Sequence, residues 1–203
     1  MGLHVGDDPA NVRANREALR KTLGVSEMIF MNQVHGDDVV YVDKTTQTPN
    51  CDAIISNQKG LALAVMVADC IPILMYDERT QSIAAVHAGR KGTQLNIVSK
   101  TLNAMQEHFG VKPEEVNVYM GASIGACCYE VGIEVTKGLE KVLHVKNNRF
   151  FLDLPLANHS ALLDAGIKAK HIHKEAICTC CDIRYFSYRR EHQTGRFVGV
   201  IHL

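Results

Sequence analysis

The chain has no tryptophan, and aromatic residues make up only 6% of its 203 positions. That is too little to build the row of stacking platforms on which single-stranded nucleic acids are held. It has no charge excess either: Lys plus Arg total 22, Asp plus Glu total 22, and the formal net charge is zero. Without a surplus of either sign, neither nucleic acid nor an anionic membrane is expected as a partner. The longest apolar run, Leu61 to Ala68, falls far short of the roughly 20 residues that cross a bilayer. The opening residues, MGLHVGDDPANVRANR, contain neither a basic nor an apolar stretch, so no secretory signal is expected. Repeats, low-complexity tracts and linkers are also missing.

What remains is an ordinary globular balance, with 46% apolar and 22% charged residues, on a chain of the length of one domain, 1–203. The seven cysteines stand at 51, 70, 127, 128, 178, 180 and 181. Their odd number and partly adjacent positions fit free thiols in a reducing cytoplasm better than a disulfide scaffold. A cytoplasmic protein, monomeric or weakly homo-oligomeric, is expected.

Turn and period signals divide the chain into strands and helices. Asp8-Pro9 opens a helix that carries Val12, Leu19 and Leu23 inward and stops at Gly24. Strands are expected at 27–34 and 38–43, with Gly36-Asp37 as the turn between them, and at 52–56 and 61–68. Two further strands, 71–76 and 82–87, flank the polar loop 77–81 and form a hairpin. Thr93 to Phe109 reads as one amphipathic helix ended by Gly110, with Leu95 on its inner face. Strands at 116–120, 150–154, 171–177 and 197–202 and helices near 132–143 and 155–165 complete an α+β (mixed α/β) fold with helices outside the sheets.

The hairpin carries the chemistry. With Tyr76 opposite Ser82, residue 71 faces His87, and Cys70 lies diagonally beside that histidine at roughly 5–8 Å. A thiolate and an imidazole at one sheet end can share a metal, and His35 in MNQVHG is the best third candidate. Three protein ligands leave a fourth position open, the pattern of a catalytic zinc. The competing reading makes all three buried core residues, and the residues taken alone favour it. In HAGRKGT, two glycines bracket Arg90 and Lys91 ahead of a helix start at Thr93, a possible phosphate cradle or a solvated turn. Arg189 and Arg190 offer two more guanidinium groups for a phosphate or ribose. Cys127-Cys128 and Cys178-Thr179-Cys180-Cys181 invite a structural zinc, but they are read as lacking Cys-x-x-Cys spacing, so free, mostly packed thiols are expected. His171-Ile172-His173 is read as a solvated edge among lysines.

Taken together, NQVHG, CDAIISN, ADCIPILMYD, AVHAGRKGT, GASIGACCYEVG and CTCCDIRYFSYRREHQTGRFVGVI resemble, in order and nearly end to end, the YfiH/YlmD or laccase-domain family. The resemblance implies a single layered sandwich of mixed sheets with outer helices, distantly like a bacterial cytotoxic deamidase domain. It implies one zinc per chain on His35, Cys70 and His87. It further implies phosphorolysis of adenosine, inosine, guanosine and methylthioadenosine, and deamination of adenosine. Catalytic groups beyond the ligands stay unassigned. Two departures are expected to matter: the arginine- and glycine-rich block that many members carry ahead of LGLHVGDD has no counterpart before Met1, and HAGWRG is HAGRKG here. Copper-dependent polyphenol oxidation is one alternative, with Met66 or Met75 beside the His–Cys–His set. A metal-free cysteine hydrolase using Cys70 and His87 is another, and a non-catalytic metal-binding protein is a third.

Overall fold

A computed structural model describes all residues, 1–203. Helix α1 (Pro9–Leu23) starts where the Asp8 carboxylate accepts the Ala10 N–H at 2.7 Å and ends at Gly24, whose φ of 68° suits glycine. The strands that follow are β1 (Glu27–Phe30), β2 (Val39–Tyr41), β3 (Ala53–Ser56), β4 (Leu61–Val67), β5 (Ile71–Asp77) and β6 (Ser82–Ala88). After helices α2 (Arg90–Gln94) and α3 (Ile97–Phe109) come β7 (Asn117–Met120), β8 (Glu130–Val131), β9 (Leu143–Lys146) and β10 (Arg149–Leu152). Helix α4 (Leu154–Asp164), β11 (Ile172–Lys174), the single-turn α5 (Tyr188–Glu191) and β12 (Phe197–His202) close the chain.

Six strands form a mixed sheet in the order β11-β7-β5-β6-β3-β2, and a three-stranded sheet, β1-β4-β12, packs against it. Side-chain alternation along β3 and β6 of the six-stranded sheet sends successive residues to opposite faces. Ile54, Ile83 and Ala85 meet Leu61, Leu63, Val65 and Val67 of the smaller sheet. Their neighbours Ile55, Ala84 and Val86 turn instead to Ile97, Leu102 and Met105 of α3. Because β4 is covered on both faces, all seven of its residues are buried, as its unbroken apolar run predicts. Each large aliphatic side chain so buried contributes roughly 1.5–3 kcal/mol. On the outer side of the small sheet, Arg16 of α1 lies 3.8 Å above the Phe30 ring. The α+β layered sandwich with outer helices therefore holds.

Several local expectations do not. The β5–β6 hairpin pairs Asp77 with Ser82 and Pro72 with His87, one residue out of the expected register. Asp77 joins the strand because its carboxylate caps the turn, accepting from the Arg79 N–H and the Thr80 hydroxyl. The helix expected over 93–109 is two helices, split at Asn96 in the left-handed region (φ 60°), and Leu95 is exposed. The helix expected near 132–143 is a pair of single 3-10 turns, 133–135 and 140–142, followed by the β9–β10 hairpin. Asn147 and Asn148, at φ 51° and 58°, make that hairpin turn, which asparagine tolerates better than most residues. Gly36-Asp37 is no hairpin turn: β1 pairs with β4 and β2 with β3, in different sheets.

Candidate active site

One cavity of about 850 Å³ opens where the two main sheets meet. Its floor is made by the loop 31–35, the end of β4, and the junctions β4–β5 and β6–α2. The loop between β1 and β2 is held from below by Asp52. This fully buried carboxylate accepts the backbone N–H groups of Val34, His35 and Gly36 at 3.2, 3.0 and 2.6 Å. From the side, both ends of the Gln33 amide bond the Met66 backbone, at 2.8 and 2.9 Å. The loop turns through His35 with φ at 58°, an uncommon conformation for histidine that these bonds hold in place.

So fixed, His35 meets Cys70 and His87. The donor atoms of the three side chains lie within 4.8 Å of one another, and the two imidazole rings cross at 84° with centroids 4.8 Å apart. The one-residue slip of the hairpin leaves Cys70 diagonal to His87, so the two still converge. Gly89 makes room for them: a Cβ there would sit 3.1 Å from Cys70 Sγ and 3.2 Å from His35 Cδ2. His87 is buried, with Nδ1 2.7 Å from Asp52 Oδ1, so Nε2 is the nitrogen free to ligate. Burial opposes charge on Cys70, but the two facing imidazoles outweigh it and pull the thiol down to about 6. Burial likewise opposes the His87 imidazolium, yet Cys70 and Asp52 raise it to about 9. The Asp52 carboxyl lies below its ordinary range despite its burial, because His87 and the Gly36 N–H stabilise the anion. An ionised sulfur flanked by two imidazoles, one oriented by a carboxylate and giving up its Nε2 proton on ligation, is a donor set that suits a divalent metal with one ligand position left open to the cavity. His35, which is exposed, stands on that open side.

The four candidate cations divide. Arg90, Lys91 and Arg189 line the cavity; Arg190 is not among its lining residues. Arg190 is occupied behind the wall, donating to the carbonyls of Thr179, Cys180, Asp182 and Tyr185. Arg189 donates to the carbonyls of Cys128 and Glu130 and lies 5.2 Å over the Tyr129 ring. Arg90 bonds Gln94, while Lys91 is exposed. Both cations belong to α2, which begins at Arg90 rather than Thr93. Gly92 lets that helix approach the loop, since a Cβ there would lie 3.0 Å from the Gly36 carbonyl oxygen. Met66 also lines the cavity, but Met75 is fully buried against α3 in the core, so only the first could approach a metal here.

Sequence reasoning passed over Asp52, Asp69, Tyr129 and Tyr188. Asp69 stands in the left-handed region (φ 88°) beside Cys70, accepting the Thr179 hydroxyl and the Arg189 N–H, each at 2.7 Å. Its position in ADC was the available signal. Tyr129, in the loop before β8, and Tyr188, at the start of α5, are more than 50 residues apart, and no local pattern marks them as neighbours.

The family model described as multi-copper polyphenol oxidoreductase laccase matches residues 1–203. A Corynebacterium glutamicum protein named purine nucleoside phosphorylase is 37% identical across the whole chain, which covers 86% of that relative. The crystal structure of YlmD from Geobacillus stearothermophilus superposes with a TM-score of 0.93 at 32% identity, covering 100% of this chain and 83% of that one. A Bacillus licheniformis structure titled hypothetical protein YfiH gives a TM-score of 0.94 at 29% identity, covering 100% and 84%. The curated sequence of the Geobacillus protein carries the name purine nucleoside phosphorylase YlmD. No helix is long and apolar enough to cross a membrane.

Proposed function

Because the chain belongs to the family described as multi-copper polyphenol oxidoreductase laccase, and relatives of it are named purine nucleoside phosphorylase, we propose that it is a zinc-dependent purine nucleoside phosphorylase. Adenosine, inosine, guanosine and methylthioadenosine are its substrate class, and deamination of adenosine is a second activity of the same site. The observation that carries this reading is one cavity with a His–Cys–His donor set on one wall and Arg90, Lys91 and Arg189 on the others. Its volume of about 850 Å³ lies within the range of small-molecule sites and accommodates a nucleoside and a phosphate together.

In phosphorolysis an oxygen of inorganic phosphate bonds to C1′ of the ribose as the bond from C1′ to the purine nitrogen breaks. The products are ribose 1-phosphate and the free base, which takes up a proton. Arg90, Lys91 and Arg189 hold the phosphate and offset its charge as the two reactants are brought together. Tyr129, with the Arg189 guanidinium over its ring, and Tyr188 at the mouth supply apolar faces for the purine. His35, Cys70 and His87 hold the zinc, which when bound contributes Lewis-acid polarisation of a substrate oxygen or water. Asp52 fixes the His87 tautomer. The test is purine release from inosine with and without phosphate. Ribose 1-phosphate formed only with phosphate is the expected result; release indifferent to phosphate would make the protein a hydrolase.

The row Cys70, His87, Asp52 also has the order of nucleophile, base and orienting carboxylate, which supports a metal-free cysteine hydrolase as a second reading. The two part at His35, which has no place in a Cys–His dyad. Consumption of oxygen with a phenol by copper-loaded protein would instead favour the oxidase chemistry in the family's description.

A further inference from the structure

Away from the His–Cys–His set, the fold gathers four of the remaining cysteines. The Sγ atoms of Cys127, Cys128, Cys178 and Cys181 lie within 4.8 Å of one another. Cys181 Sγ is 3.3 Å from that of Cys128 and 3.7 Å from that of Cys127, and all four thiols are free. Cys127 and Cys181 are exposed rather than packed, and Cys178 and Cys181 do have Cys-x-x-Cys spacing. The expectation of mostly packed thiols lacking that spacing is therefore corrected on both points.

We infer that these four thiolates form a second metal site, one that takes a thiophilic divalent cation of the zinc class and clips two loops together. A tetrahedral zinc with Zn–S bonds of about 2.3 Å places its sulfurs about 3.8 Å apart. The four sulfurs are already close to that spacing. A set this tight holds one ion more readily than a multinuclear cluster, and soft thiolate ligands select zinc over magnesium or calcium. On binding, each cysteine loses its thiol proton to solvent, so the four thiolates and the dication carry a net charge of −2. One backbone donor already faces the sulfurs: the Gly125 N–H donates to Cys178 Sγ at 3.3 Å and offsets part of that charge.

The position gives the site its purpose. Cys127 and Cys128 precede Tyr129, and Cys178 and Cys181 begin the segment that leads to Tyr188 and Arg189. The two loops already touch through a bridge between Ser123 and Cys178, extended by the Thr179 N–H bonding the Ser123 carbonyl. No long helix or sheet continues that pairing. A metal there fastens both loops at the cavity wall without contacting substrate. This inference stands independently of the proposed reaction.

The test is zinc content after loading under reducing conditions and desalting. Wild type should hold two equivalents, His35→Ala one, Cys181→Ser one, and the double variant none. Cobalt-loaded His35→Ala should show strong thiolate-to-cobalt charge-transfer absorption, which the double variant loses. If Cys181→Ser does not fold, Cys127→Ser and alkylation of the wild type decide. With zinc, Cys127, Cys128, Cys178 and Cys181 should resist alkylation until a chelator is added, whereas Cys180, in the same loop but outside the cluster, reacts either way. Retention of every bound equivalent by Cys181→Ser, labelling of the four cysteines in the zinc-loaded protein, a Cys128–Cys181 disulfide, or sulfide-dependent iron absorption would each overturn the site. A failed phosphorylase assay would leave these readouts unchanged.

Discussion

Oδ1 of Asp52 lies 2.7 Å from Nδ1 of His87, with both side chains buried, and the same carboxylate receives three N–H groups from the loop that carries His35. One carboxylate thus orients two of the three proposed ligands, the first directly and the second through the backbone. Asp52→Asn keeps the shape but removes the charge. Loss of such an outer partner generally costs 10- to 100-fold in metal affinity. Chelator competition should show zinc binding weakened by about that factor, and an unchanged affinity would reduce Asp52 to a structural support of the loop.

Gly89→Ala tests the space the ligands need. Glycine is not required by the backbone there, with φ at −80°, but an added methyl would press on Cys70 Sγ and His35 Cδ2. The variant should lose zinc from the His–Cys–His set while its metal-free thermal midpoint stays within a few degrees of wild type. An equal zinc affinity in the variant would mean that the three side chains do not share an ion in this arrangement.

Ligation should protect Cys70. With zinc bound its thiolate is committed to the metal, so alkylation should be slow and should accelerate on chelation. His35→Ala should lose the metal of this site and the activity together. Full activity in that variant, or in a zinc-free sample, would favour Cys70 acting as nucleophile with His87 as its base.

Lys91→Ala removes an exposed cation from the cavity wall without disturbing a hydrogen bond of the core. Its apparent KM for phosphate should rise several-fold more than its KM for inosine. Deamination of adenosine consumes water instead of phosphate and should change little in the same variant. Equal loss of both activities would assign Lys91 to the fold or the metal.

In the core, Leu102 is fully buried on α3 against the six-stranded sheet. Leu102→Ala should cost roughly 2–5 kcal/mol through lost burial and the cavity left behind. Denaturant unfolding measures this directly, and a cost under 1 kcal/mol would mean that α3 collapses onto the gap.

Much of this molecule is written in short stretches of chain. Asp8-Pro9 with Gly24 sets the limits of α1 through caps that involve only neighbours, and the apolar run of β4 specifies a strand buried on both sides. The β5–β6 hairpin and the meeting of Cys70 with His87 follow from sheet geometry, even with the register read one residue out, because the diagonal contact survives the slip. Local pattern fails where a residue answers to something distant. Asn96 breaks a helix whose apolar period runs straight through it, since α2 must turn to pack Gly92 on the loop at Gly36. The place of His35 depends on Asp52, 17 residues away, and that of Arg189 on Asp69, 120 residues away. The four clustered cysteines come from segments about 50 residues apart, and each segment alone looks like surplus thiols. Element types and two of the three proposed ligands, Cys70 and His87, come from periodicity and turn chemistry, which act over a few residues. The convergence of donors, cations and aromatic faces on one cavity exists only once the sheets have packed, because packing alone brings distant carboxylates within hydrogen-bonding reach of the loops they hold.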